Sequence, residues 1–117
     1  MNIEKIVKNI KKFDYTSIDV DEYLDGRDSE EFDTEWGKIY EQIHEDSIPE
    51  PVRVKSDKLR EEVFLAIDEE LGGSELSEYI SDDIELLIFA DYLGIKDEWF
   101  IKFVDKYENG ELPTGTF

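Results

Sequence analysis

Apolar residues return every three or four positions along most of this chain, a spacing that confines it to packed amphipathic helices. Ile3, Ile6, Val7, Ile10 and Phe13 form a first stripe, with Lys5, Lys8, Lys11 and Lys12 on the other side. Phe32, Trp36, Ile39, Tyr40 and Ile43 repeat it, and Asp28 as cap with Glu31 closing a capping box predicts a second helix over about 29–44. Ser56 predicts the start of a third, about 57–71, with the stripe Leu59, Val63, Ile67 and Leu71 and a stop at Gly72-Gly73. A fourth helical region begins at Ser74, carries Leu76, Tyr79, Ile80, Ile84, Leu87, Ile88 and Tyr92, could restart at Ser81 and stops at Gly94. Its middle, with the apolar run Leu86–Ala90, is expected to be the most buried part of the chain. Asp97 caps a fifth helix with the stripe Trp99, Phe103 and Tyr107, Gly110 ends it, and Glu111–Phe117 is expected to be an extended tail.

Two connections do not read as helix. Asp14–Arg27 alternates acids with Tyr15, Ile18, Val20, Tyr23 and Leu24 and could hold a short strand or a single helical turn. Ile48-Pro49-Glu50-Pro51-Val52 reads as an extended linker, because each proline pushes its predecessor out of the helical region. The expectation is an all-α single domain over residues 1–117: a bundle of four to five amphipathic helices, an irregular acidic segment at about 14–28 and the extended C-terminal tail. At 117 residues, 13% of them aromatic, the chain can bury a real core, which acidic disordered tails cannot.

Charge narrows the function. The chain has 32 acidic and 13 basic residues, for a net charge of -19. Residues 14–50 hold fourteen acids against two bases and residues 74–94 six acids and no base, whereas residues 1–13 are basic. A field of one sign concentrated in this way repels nucleic acid and anionic lipid and steers cationic partners to the surface, so a basic protein is the expected partner. Met1–Phe13 does not read as a secretory signal, and the longest apolar run, five residues, is far short of the roughly 20 a membrane span needs. A cytoplasmic protein without membrane contact is expected.

Little catalytic chemistry is available. Cysteine is absent, which removes disulfides, thiolate metal sites and cysteine nucleophiles, and there is one His. The stretch from Asp19 to Glu31 invites comparison with a calcium loop, but placing Gly26 at the sixth position puts Tyr23 third and Phe32 twelfth, so the bidentate glutamate is missing. Starting from Asp19 puts Leu24 where glycine is required, and a solvated acidic loop is the better reading. His44-Glu45-Asp46 has no second nitrogen ligand, and His44 is expected to favour the end of the second helix as a cation. The pairs Asp82-Asp83, Glu61-Glu62 and Glu69-Glu70 are poor acid–base dyads, since neighbours on a helix do not face each other. Asp82 and Asp83 are expected in a helix's first turn. No Gly-rich phosphate loop or Gly-x-Ser-x-Gly elbow occurs, and the lysine face of Lys5, Lys8 and Lys12 is expected to moderate the negative potential rather than bind nucleic acid. Neither a cofactor nor a metal is expected.

The acidic stretch itself remains. Tight interfaces set aromatic anchors inside a charged rim, and rim charges speed encounter with an oppositely charged partner. Tyr15, Asp19, Asp21, Glu22, Tyr23, Asp25, Asp28, Glu30, Glu31 and Asp33 are therefore the candidate partner-binding residues. Trp36 and Tyr40 fall on the second helix's apolar stripe and divide evenly between core and interface, so Tyr15 and Tyr23 are the preferred anchors.

In its character over the whole chain (small, cysteine-free, strongly acidic and largely helical) the sequence resembles bacterial immunity proteins, which neutralise a toxin delivered by neighbouring cells, as in contact-dependent inhibition, or produced by the same cell. The segment from Asp97-Glu98-Trp99 to Tyr107-Glu108-Asn109-Gly110-Glu111-Leu112-Pro113 looks like the end of a small bacterial domain, in keeping with the broad class. In colicin-type immunity proteins an acidic helix and a tyrosine pair bind a basic nuclease domain beside its active site. This sequence has no adjacent tyrosine pair followed by proline, so none of those residues is carried over. The resemblance implies a non-enzymatic inhibitor of a cationic toxin, a nuclease above all. A phosphate-mimicking regulator of a non-toxin nucleic-acid-binding protein and a small carboxylate-dependent metal or hydrolytic protein are the alternatives.

Overall fold

Side-chain caps set most of the helix starts in the computed structural model, which describes all 117 residues. Asn2, Asp19, Ser29, Ser74 and Asp97 each accept a hydrogen bond from a backbone N–H two or three residues ahead, satisfying donors that a helix's first turn leaves free. The helices are α1 (Ile3–Lys12), α2 (Val20–Arg27), α3 (Glu30–Glu41), α4 (Glu50–Leu71), α5 (Glu75–Tyr92) and α6 (Glu98–Glu108), with a single 3-10 turn at Glu45–Ser47. The all-α expectation holds, with six helices in place of four to five.

The additional helix is α2, in the segment expected to be irregular. Its two turns follow a tight turn at Asp14–Ser17, where the Ser17 N–H donates to the Asp14 carbonyl at 3.0 Å. Three further boundaries depart from expectation. α3 is capped by Ser29, not Asp28, and stops at Glu41, leaving His44 exposed beyond it. α4 begins at Glu50 rather than after Ser56: Pro49 is its cap residue and Pro51 lies in its first turn, where a missing N–H costs nothing. Ser56 is thus an internal, fully buried residue of α4. α5 runs unbroken through Ser81, so Asp82 and Asp83 sit in its middle and not in a first turn.

α4 and α5 form the longest helix pair, closed by Gly72 and Gly73 at φ 66° and 95°, a left-handed turn that side chains disfavour. α1 lies against α4 and α6, α3 lies on α5, and α2 on α3. α5 is the hub, because Leu86, Leu87, Ile88, Phe89 and Ala90 are buried on every side of it, as expected for an all-round apolar segment. Ile6 and Ile10 of α1, Phe32 and Ile39 of α3, Val63 and Ile67 of α4 and Phe103 of α6 close around it in one core. No helix is long and apolar enough to cross a membrane.

The tail is extended, as expected, but it is docked. It turns back along α2, where the Gly115 N–H donates to the Gly26 carbonyl at 3.3 Å and Thr114 Oγ1 donates to the Tyr23 carbonyl at 2.9 Å. Phe117 then stacks on Trp99 with ring centroids 5.3 Å apart.

Candidate functional site

The short helix α2 has few apolar positions, so something other than a hydrophobic stripe must seat it. Arg27 does this. Its guanidinium is buried and makes a two-pronged pair with Asp83 of α5, Nη1 to Oδ2 at 2.9 Å and Nη2 to Oδ1 at 2.7 Å. Trp36 Nε1 of α3 donates to Asp83 Oδ1 at 3.0 Å, and the Tyr107 hydroxyl of α6 donates to Oδ2. The Tyr23 hydroxyl accepts from Arg27 Nη1 at 3.2 Å and donates to the Pro113 carbonyl at 2.7 Å. Arg27 also lies over the Phe32 ring at 4.5 Å. Burial opposes charge on the guanidinium, but the Asp83 carboxylate together with the Tyr23 and Tyr107 hydroxyls more than offsets it and holds Arg27 protonated. Burial, reinforced by the Asp83 charge, pushes the Tyr23 and Tyr107 hydroxyls well above the ordinary tyrosine value. Four helices and the tail are thereby pinned to one carboxylate, which fixes the outer face of α2 and α3.

That face carries the acids singled out in the sequence. Asp19, Asp21, Glu22, Asp25, Asp28, Glu30, Glu31 and Asp33 are all exposed. Some also serve the fold. Asp19 caps α2, Asp28 Oδ1 accepts from the Tyr79 hydroxyl at 2.8 Å, and Glu31 accepts from Thr116 of the tail. Because α2 is helical, Asp21 and Asp25 stand one turn apart on a helix rather than lining a cation loop, and no group of three or more His, Asp and Glu side chains converges as metal ligands do.

The two preferred anchors are elsewhere. Tyr15 is buried, its ring edge-on to Phe13 at 5.0 Å and its hydroxyl donating to the Ile10 carbonyl at 2.8 Å; Tyr23 is buried in the Arg27 network. Both rings belong to the core and offer a partner almost no surface, which corrects their reading as anchors. The exposed aromatics are Tyr92 at the end of α5 and, beside the acids, Tyr40 of α3, which is 53% exposed and stacks on half-buried Trp36, ring centroids 5.6 Å apart. The signal that could have separated the pairs is register, since Tyr40 follows the fully buried Ile39 and so points to the edge of the stripe.

α3 forms a ridge between two depressions. On one flank is an open cleft of about 630 Å³ edged by Glu30, Glu31, Glu35, Asp97 and Glu98, with Trp99 and Phe117 between them and Lys102 as its one cation. On the other, toward α5, is a groove of about 350 Å³ lined by Trp36, Tyr40, Ile43, Leu86 and Phe89, with Glu45, Asp82 and Glu85 at its edge. Burial raises the Asp82 and Glu85 carboxyls against the opposing charge of Arg60, which pairs with both, and neighbouring carboxylates, Asp83 beside Asp82 and Glu45 beside Glu85, raise them further. α1 and α4 are joined by ion pairs in both directions, Lys11 of α1 with Glu62 of α4 and Lys55 of α4 with Glu4 of α1.

The chain is all-helical in fold, and two of its consecutive helices present an exposed carboxylate face. Comparison with protein families places it in the class of immunity proteins, the toxin-neutralising partners of toxins. The chain belongs to the family described as Immunity protein PIM1, whose model matches residues 2–114, nearly the whole chain. The resemblance to immunity proteins drawn from overall character is borne out at the level of the class. No curated protein matches the sequence significantly.

Proposed function

We propose that this protein neutralises a basic toxin domain in the cytoplasm by covering the surface with which the toxin meets nucleic acid, and that the toxin is a nuclease. The carboxylates of Asp19, Asp21, Glu22, Asp25, Asp28, Glu30, Glu31 and Asp33 take the place of phosphates against its lysines and arginines. The observation that carries this reading is that all eight are exposed on two consecutive helices of a chain that belongs to an immunity family. Concentrated like charge accelerates encounter, and slow dissociation then needs desolvated aromatic contacts. α3 provides both, with acids in its first turn and Trp36 and Tyr40 beyond them.

Capture from the source lysate with the purified protein, at low and at high salt, tests it. The expected result is one basic partner in near-equal amount, encoded beside this protein's gene, whose capture is lost and whose toxicity returns together when the acids at 19–31 are neutralised by amide substitution. Absence of any partner at low salt would overturn the reading.

A further inference from the structure

We propose that the groove between α3 and α5 is the anchor pocket for one arginine side chain presented by the basic protein partner. This rests on the inhibitor reading above and adds where and by what chemistry the partner is gripped.

The cleft on the other flank of α3 has only Trp99 and Phe117 among its polar and charged side chains, whereas the groove has a mostly apolar lining that forms its floor. Ile43, Leu86 and Phe89 line it, and Trp36 and Tyr40 form one wall as a stacked pair tilted by 15°. Such a floor favours desolvation of whatever enters, and hot spots concentrate in pockets of this kind. The wall is prepared before binding, since the Trp36 indole is fixed by its hydrogen bond to the buried Asp83. A half-buried, pre-positioned indole loses little freedom when it is covered.

The edge of the groove specifies charge. Glu45, Asp82 and Glu85 stand there, and Arg60 is the one cation paired with any of them, so a net negative charge is left over. Burial and crowding that raise the Asp82 and Glu85 carboxyls mark a place where an added cation is favoured. An apolar floor rejects a hydrated anion or a water-filled contact, and the carboxylates reject an uncharged apolar plug. A side chain with a long aliphatic stem and a cationic head satisfies both. Arginine fits better than lysine because its planar head stacks on aromatic rings and reaches carboxylates with two N–H groups at once.

The test uses the intact protein and a tetra-arginine peptide as probe, followed by amide and indole N–H resonances. The chain has two tryptophans, Trp36 in the groove and Trp99 in the opposite cleft, so the two indole signals report the two depressions separately. The expected result is a saturable shift of the Trp36 indole and of amides around Tyr40 and Glu85, with Trp99 unmoved. Tetra-lysine should bind several-fold more weakly. Tyr40→Ala and Glu45→Gln should each weaken the arginine peptide by about tenfold, whereas Glu98→Gln, which removes the same charge from the opposite cleft, should have little effect. Tyr40 and Glu45 are exposed, so both variants should keep the fold, which the unperturbed remainder of the spectrum verifies. Shifts spread evenly over the acidic face, centred on Trp99, or equally reduced by Glu98→Gln would overturn the proposal. The two readings fail separately: a captured toxin neutralised equally well by Tyr40→Ala removes the anchor alone, whereas wild-type protein that captures no toxin removes the inhibitor reading.

Discussion

Arg27 and Asp83, 56 residues apart, meet through two parallel hydrogen bonds of 2.9 and 2.7 Å in a site where neither side chain is more than 7% exposed. The pair joins a helix with little apolar surface of its own to the most buried helix of the fold. Breaking a buried pair leaves one charge stranded without water, whereas losing both partners leaves none.

Arg27→Met or Asp83→Leu alone should therefore destabilise the fold by about 3–5 kcal/mol. The double replacement Arg27→Met with Asp83→Leu should cost much less than the sum, apart from about 1–3 kcal/mol for each donor, Trp36 or Tyr107, left unsatisfied. Urea unfolding of the four-member cycle measures this. Additive effects would show that the two side chains act independently.

Alkaline pH should unfold the protein through its tyrosines. Tyr15, Tyr23 and Tyr107 have hydroxyls raised above the ordinary value of 10.0, chiefly by burial. The folded state holds these protons more tightly than the unfolded chain. That contribution is complete below about pH 10 and is lost as pH rises further. A stepwise pH titration should show the three ionising together with loss of helix, and Tyr15→Phe should soften the dependence. Tyrosinate absorbance from all six tyrosines before any loss of helix would contradict this.

Salt should move stability and binding in opposite directions. With a net charge of -19 the folded chain repels itself, and screening relieves this, so the melting temperature should rise between about 20 and 300 mM NaCl. The same screening should slow association with a basic toxin, seen as a fall in the on-rate with little change in the off-rate. Thermal melts and surface-binding kinetics across one salt series check both slopes.

Two helical glycines should respond differently to alanine. A Cβ on Gly37 would meet nothing within 4 Å, so Gly37→Ala should stabilise α3 by about 0.5–1 kcal/mol. A Cβ on Gly26 would lie 2.3 Å from Thr114 Oγ1, forcing that side chain off its hydrogen bond to Tyr23. Gly26→Ala should yield no net gain and should speed hydrogen exchange at Gly115. Equal stabilisation by both substitutions would show that the tail is not held as described.

The features legible in the sequence were those with local causes. The stripe of α1, the cap at Asp97, the start at Ser74 and the stop at Gly72 each depend on residues within a turn or two of one another. α2 was not legible, because its docking depends on Asp83 and on residues 113–115, which no short window contains. Pro51 looked like a break because proline's prohibition applies only beyond a helix's first turn, and Pro49 had to be recognised as its cap. Of the candidate site, the acids were legible, since exposed charge needs no partner. The aromatics were not: Tyr15 and Tyr23 are covered by distant chain, while Tyr40 lies one step off the buried register. Asp83, an acid at the centre of the most apolar stretch, was the available sign of a buried counter-ion.

The tail laid along α2 also sets an order of assembly. Tyr23 and Gly26 of α2 hydrogen-bond to residues 113–115, some 90 positions further along the chain and therefore made later. Contacts so far apart in sequence close late. α1, α4 and α5 can therefore collapse on the growing chain while the carboxylates of α2 wait for translation to reach residue 115, so the surface proposed to meet the toxin matures after the core that carries it.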